Sequence, residues 1–142
     1  MRTLVFLATL AITGASAACS KPAELVISSV GDTMAYDQTT LHVKSGQKVH
    51  LVLKNNAVSP QMTHNWVLVM PDKAAQVATD GQTAGEAANY VPLTSDVIAH
   101  TVLSKPGGTV DVTFTAPDKG SYPYLCTLPG HAATMKGTLI VE

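Results

Sequence analysis

Cys126-Thr127-Leu128-Pro129-Gly130-His131-Ala132-Ala133-Thr134-Met135 brings a thiol, an imidazole and a thioether into ten residues, directly after the strand-like Tyr122-Pro123-Tyr124-Leu125. A soft thiolate, two imidazoles and a weakly held thioether form the ligand set of a blue-copper electron-transfer site. The second imidazole is His64, about sixty residues upstream in Met62-Thr63-His64-Asn65-Trp66-Val67-Leu68-Val69, another strand-like run. A cysteine at the end of a strand is held rigidly. Pro129 presets its own φ and Gly130 admits a backbone conformation other residues resist, so the chain can fold back and bring His131 to the same point. Met135 then comes round to the far side, where a long, weak bond suffices. Zinc prefers a closed set of thiolate, imidazole or carboxylate ligands, for which a thioether does little. The donor set therefore favours one copper ion.

Working outward, the rest of the chain reads as short strands between turns. Glu24–Val30, Leu41–Lys44, Lys48–Lys54, His64–Met70, Val97–Leu103, Val110–Thr115, Tyr122–Cys126 and Gly137–Val141 are β-rich. Turn signals separate them at Ser45-Gly46, Pro106-Gly107-Gly108, Pro117-Asp118-Lys119-Gly120 and Leu128-Pro129-Gly130. In Lys48–Lys54, Val49, Leu51 and Leu53 alternate with His50, Val52 and Lys54, a period-two face. Many short strands with regular turns predict an all-β Greek-key sandwich. The Ala-rich stretch around residues 71–88 predicts one or two short helices, interrupted at Asp80-Gly81. Trp66, the only tryptophan, falls on the same strand face as His64 and is expected to pack in the core beneath the site.

The N-terminus reads as an export leader. Met1-Arg2, an apolar run from Thr3 to Ile12 and the small residues Gly14-Ala15-Ser16-Ala17-Ala18 have the order of a secretory signal. About ten apolar residues fall short of the roughly twenty a bilayer crossing needs. Residues 1–18 are thus expected to be removed, leaving 19–142 as a single domain in the periplasm. Cys19 sits where a lipoprotein cysteine would. Lipidation and simple cleavage both remain open, and membrane contact is expected only in the first case. Without Arg2, eight basic residues stand against ten acidic ones, scattered singly. No basic stripe exists, which removes electrostatic support for nucleic-acid binding.

The chain resembles the azurins and auracyanins of the cupredoxin family. The resemblance lies in Thr63-His64-Asn65-Trp66-Val67-Leu68, Val97-Ile98-Ala99-His100-Thr101, Cys126-Thr127-Leu128-Pro129-Gly130-His131 and Met135-Lys136-Gly137-Thr138-Leu139, and covers essentially everything after the leader. The ligand loop has the azurin length rather than the shorter plastocyanin length. The resemblance implies His64, Cys126 and His131 as equatorial copper ligands and Met135 as the axial one. The carbonyl of Thr63 stands where azurins, with Gly, offer a distant backbone contact. Asn65 and Thr127 match positions that orient ligands and donate hydrogen bonds to the thiolate. Met34, Met62, Leu128, Pro129, Ala132 and Ala133 match an apolar docking patch around His131, the electron entry and exit.

The implied function is electron transport as a monomer between redox proteins such as cytochromes or oxidoreductases, with no catalysis. Copper enzymes of this fold need a second copper cluster built from His-x-His pairs, and none of the five histidines is so paired. A periplasmic copper-sequestering or copper-delivery protein is the alternative. Two departures from azurins are visible. The cysteines of their N-terminal disulfide are missing, and Asn55 occupies the place of a buried, pH-responsive histidine.

Overall fold

The computed structural model describes residues 21–142. The leader and Cys19 lie outside the described residues. Among the described residues eight strands, β1 (Ala23–Ser28), β2 (Thr40–Val43), β3 (Lys48–Lys54), β4 (Val67–Val69), β5 (Val97–His100), β6 (Thr109–Thr115), β7 (Gly120–Leu125) and β8 (Lys136–Val141), form two sheets. One has the order β1-β3-β6 and the other β2-β8-β7-β4-β5. β1 runs parallel to β3 and β2 parallel to β8, while the other pairs are antiparallel. The chain crosses repeatedly between the sheets, as a Greek-key sandwich requires. One helix, α1 (Ala74–Ala84), and a single 3-10 turn (Glu86–Ala88) are inserted between β4 and β5.

Alternation decides which side chains fill the sandwich. In β3, Val49, Leu51 and Leu53 are fully buried while Lys48 and Lys54 face water. Leu41 and Val43 of β2, Tyr122 and Tyr124 of β7, and Leu139 and Val141 of β8 join them in one cluster with Trp66, Leu68, Cys126, Leu128 and Met135. Trp66 lies between Phe114 and Tyr124, with ring centroids 5.8 and 5.7 Å away, in the core position expected of it.

β4 is buried on both faces. Its outward residues Val67 and Val69 pack with Val77 and Ala78 of α1 and with Val91 and Leu125 in a second cluster. That is why three apolar residues run together there. A strand covered on both sides has no reason to alternate.

Besides shorter strand ends, with β5 stopping at His100 rather than Leu103 and β1 at Ser28 rather than Val30, two details differ from the sequence-based expectation. The segment expected to be a strand from His64 to Met70 forms a ladder only over Val67–Val69. His64 makes an isolated bridge with Ser104. Trp66 N–H donates to the Thr101 hydroxyl, at 3.0 Å, rather than to a ladder carbonyl. The second correction concerns the helix, which is not interrupted at Asp80-Gly81 but runs through it. A Cβ at position 81 would collide with the Tyr90 carbonyl, so this glycine serves a close approach rather than a break. The helix stops instead at Gly85, whose φ of 73° is left-handed.

Candidate metal centre

β7 ends at Leu125, and Cys126 follows it into the interior. Its N–H donates to the Met135 carbonyl at 2.9 Å, which closes the loop expected to carry the ligands. Inside the loop, His131 N–H donates to the Leu128 carbonyl at 3.0 Å, and Gly130 takes φ 82° to make that turn. Met135 N–H donates to the His131 carbonyl at 2.9 Å. Each donor side chain in this loop is therefore tied to another through the backbone.

His64 arrives from a different element. Its N–H donates to the Ser104 carbonyl at 3.1 Å and its carbonyl accepts from Ser104 N–H at 2.7 Å. Asn55, 1% exposed, supports the same place by donating from Nδ2 to the Met62 and Ser104 carbonyls.

These frames bring three donor atoms together. His64 Nδ1 lies 3.3 Å from His131 Nδ1, and Cys126 Sγ lies 3.5 Å from His131 Nδ1. One ligand atom from each residue lies within 4.8 Å of the others. His64 and Cys126 are fully buried and His131 is 9% exposed. His64 Nε2 is buried without a partner, so that ring makes its polar contacts through Nδ1.

The electrostatics suit a cation. Burial, followed by the nearby His131, pushes His64 down to about 4, and burial also lowers His131. Burial pushes the Cys126 thiol up to about 11, against the opposing pull of the Asn65 and Leu128 N–H groups. Near neutral pH the pocket holds uncharged imidazoles whose Nδ1 atoms lie together beside a thiol. Two nitrogens and a sulfur aimed at one enclosed point fit a single copper ion.

Met135, the fourth expected donor, is fully buried in the same cluster as Cys126 and Leu128. Thr63 precedes His64 and is half-buried. Asn65 and Thr127, both fully buried, bond to each other across the two ligand-bearing segments. The expected patch is graded in exposure. Met34, Pro129 and Ala133 are exposed, Met62 and Ala132 half-buried, and Leu128 buried. Among the described residues Cys126 is a free cysteine.

Several residues that sequence reasoning passed over contribute to this site. Tyr36 donates its hydroxyl to the Asn65 carbonyl at 2.5 Å, and Thr134 donates to the Met34 carbonyl at 2.8 Å. Asn89 and Tyr90 present carbonyls to Asn65 and Thr127. No local pattern marks such long-range partners. Only Gly81, a glycine inside an otherwise good helix, was a signal that something approached closely.

Comparison with known proteins agrees with this geometry. Residues 23–142 match the family model described as "Copper binding proteins, plastocyanin/azurin family". Auracyanin-A of Chloroflexus aurantiacus is 46% identical over 126 residues, spanning 87% of this chain and 76% of that protein. An azurin of Pseudomonas fluorescens is 36% identical over 118 residues, spanning 78% and 92%. The solved structure of auracyanin A, described as a "blue" copper protein, superposes with a TM-score of 0.80 at 45% identity, covering 86% of this chain and all of that one. With fold, donor set and sequence in agreement, the chain belongs to the plastocyanin/azurin family of copper binding proteins.

Proposed function

We propose that this protein is an exported carrier of single electrons, with one copper held by His64, Cys126 and His131 and weakly by Met135. The observation that carries this reading is the convergence of two imidazole nitrogens and one thiol within 4.8 Å in a buried pocket. Copper supplies the one-electron Cu(I)/Cu(II) couple. The protein's own residues supply a cage that changes little between the two states. Cys126 and Met135 are joined backbone to backbone, and His64 is clamped to Ser104, so backbone hydrogen bonds tie each of these segments to a neighbour. Buried Leu128 and Trp66 help keep water out. His131 alone reaches the surface, beside exposed Pro129 and Ala133 and near Met34, and is the edge through which electrons enter and leave. Thr63, next to His64, offers a weak further contact through its carbonyl.

A small apolar face suits brief encounters with redox proteins such as cytochromes or oxidoreductases, which must release quickly. Residues 1–18 would direct export to the periplasm. A lipid on Cys19, if attached, would hold the carrier at a membrane. No helix among the described residues is long and apolar enough to cross one.

The test is visible absorption and electron paramagnetic resonance of the purified protein loaded with cupric ion. An intense blue charge-transfer band with narrow copper hyperfine splitting, both lost in Cys126→Ser, is the expected outcome. A colourless, ordinary cupric spectrum, with copper passing readily to a chelator, would replace this reading with copper delivery.

A further inference from the structure

The helical insertion meets the metal centre at two consecutive residues, Asn89 and Tyr90, and both are left-handed, with φ of 56° and 55°. Asparagine tolerates that region. Tyrosine rarely adopts it, because its Cβ crowds the carbonyl. Two such residues in a row persist only where their surroundings over-determine them. Here the surroundings do. Asn89 N–H donates to the Glu86 carbonyl at 2.8 Å, Tyr90 N–H to the Gly85 carbonyl at 2.9 Å, and Leu103 N–H to Asn89 Oδ1 at 3.1 Å.

This conformation turns two adjacent carbonyls toward the buried pair beside the ligands. Asn65 Nδ2 donates to the Asn89 carbonyl at 2.8 Å, and the Thr127 hydroxyl donates to the Tyr90 carbonyl at 2.6 Å. Asn65 follows His64 and Thr127 follows Cys126 in the chain. Helix α1 backs the arrangement through Gly81. A Cβ there would collide with the Tyr90 carbonyl and lie 3.3 Å from Thr127 Cβ.

We propose that the insertion is a positioning device for the metal centre. The Asn89–Tyr90 turn, backed by Gly81, sets the spacing between the His64 and Cys126 segments by fixing the side chains of Asn65 and Thr127. Bonded only to each other, Asn65 and Thr127 could shift together with their loops. The two carbonyls belong to a third element and give both loops one outside reference. A helix that needed only to end would be complete at Gly85. The benefit to bound copper rests on the electron-carrier reading, whereas the positioning is a property of the protein alone and is measurable without metal.

The experiment compares four variants of the full chain. Gly81→Ala pushes on the Tyr90 carbonyl without removing any hydrogen-bonding group. Ala78→Gly weakens the same helix without touching that carbonyl. Asn89→Ala removes both the left-handed tolerance and the Leu103 acceptor, and Asn89→Asp keeps both. In metal-free protein, with Cys19→Ser in every variant and in the reference, the rate at which a small maleimide labels the Cys126 thiol reports how well the ligand segments are held. Gly81→Ala and Asn89→Ala should react at least about threefold faster than the reference, and their copper-loaded forms should show altered hyperfine splitting. Ala78→Gly and Asn89→Asp should stay within about twofold with unchanged splitting, whatever their melting temperatures. Labelling rates that simply follow thermal stability across the four would overturn the proposal and leave the turn a helix terminus only. If Gly81→Ala does not fold, the two Asn89 variants decide by the same comparison. A wild-type protein with no blue band would overturn the electron-carrier reading and leave the thiol rates to decide this one.

Discussion

Asn65 and Thr127, separated by 62 positions, are joined twice: Thr127 N–H donates to Asn65 Oδ1 at 2.9 Å, and Asn65 Nδ2 donates to the Thr127 hydroxyl oxygen at 2.8 Å. Both residues are fully buried, and each directly follows a copper-ligand candidate. The pair is the clasp between the two halves of the metal centre. Asn65→Ala would leave the buried Thr127 N–H without its acceptor and the half-buried Asn89 carbonyl without that donor. It should cost about 1–3 kcal/mol for the buried N–H, with a smaller addition from the half-buried carbonyl. Chemical denaturation of the metal-free protein measures this, and a loss below about 1 kcal/mol would show that water replaces the amide.

Tyr36 holds the same asparagine from its backbone side. Its buried hydroxyl donates to the Asn65 carbonyl, and its ring lies 5.8 Å from Tyr124. Tyr36→Phe keeps the ring packing and removes only the donor. Stability should fall by about 1–3 kcal/mol through the stranded carbonyl, and the midpoint of a urea titration reads it. An unchanged midpoint would mean the carbonyl finds another donor.

His50 is the pH-sensitive group on the far sheet. Its Nδ1 lies 2.7 Å from Glu24 and its Nε2 3.2 Å from Asp111, on the strands to either side. The carboxylate of Glu24, then that of Asp111, raises its pKa above the ordinary value of 6.5. Loss of hydration at the ring opposes this and is outweighed. Between 6.5 and the raised value the folded state binds the proton that the unfolded state has released. Stability from this group is therefore full below pH 6.5 and is lost as pH rises through the folded value. Melting curves from pH 6 to 9 should show a decline that His50→Gln flattens. An identical decline in the variant would assign it to other groups.

Copper binding should stabilise the fold because the three donors converge only when the β3–β4 and β7–β8 connections are both in place. At about a thousandfold excess over Kd, a ligand specific to the native state adds about 4 kcal/mol. The melting temperature should rise by about 10 °C or more on loading. Removal of the metal by a chelator should reverse the rise, and His64→Ala should abolish most of it. Equal melting temperatures with and without copper would mean that the ion also binds the unfolded chain.

Much of this protein was legible in local pattern. Alternation marked β3, and turn residues divided the strands close to their observed ends, because a half-buried strand must repeat every second residue. The loop from Cys126 to Met135 offered its candidate donors in local pattern, because a soft metal takes that set and a loop of this length can supply three of them itself. The His64 segment misled as to strand length. Apolar composition there reflects burial on both faces, under α1 on one side and against the opposite sheet on the other. Composition does not say whether a ladder forms. Asp80-Gly81 misled for a similar reason: glycine reads as a helix breaker, while here it makes room for the Tyr90 carbonyl.

By itself, the sequence determined the fold class and the copper-type donor set, since each depends on periodicity or residue chemistry within a few positions. Only the tertiary structure decided how the donors are held. The contacts that hold His64, Cys126 and His131 at one point run through Ser104, Asn55, Tyr36, Asn89 and Tyr90, from elements distant in the chain. A hydrogen bond between remote segments leaves no period and no spacing in a sequence. It comes into being only when packing of the two sheets and the inserted helix brings donor and acceptor within about 3 Å.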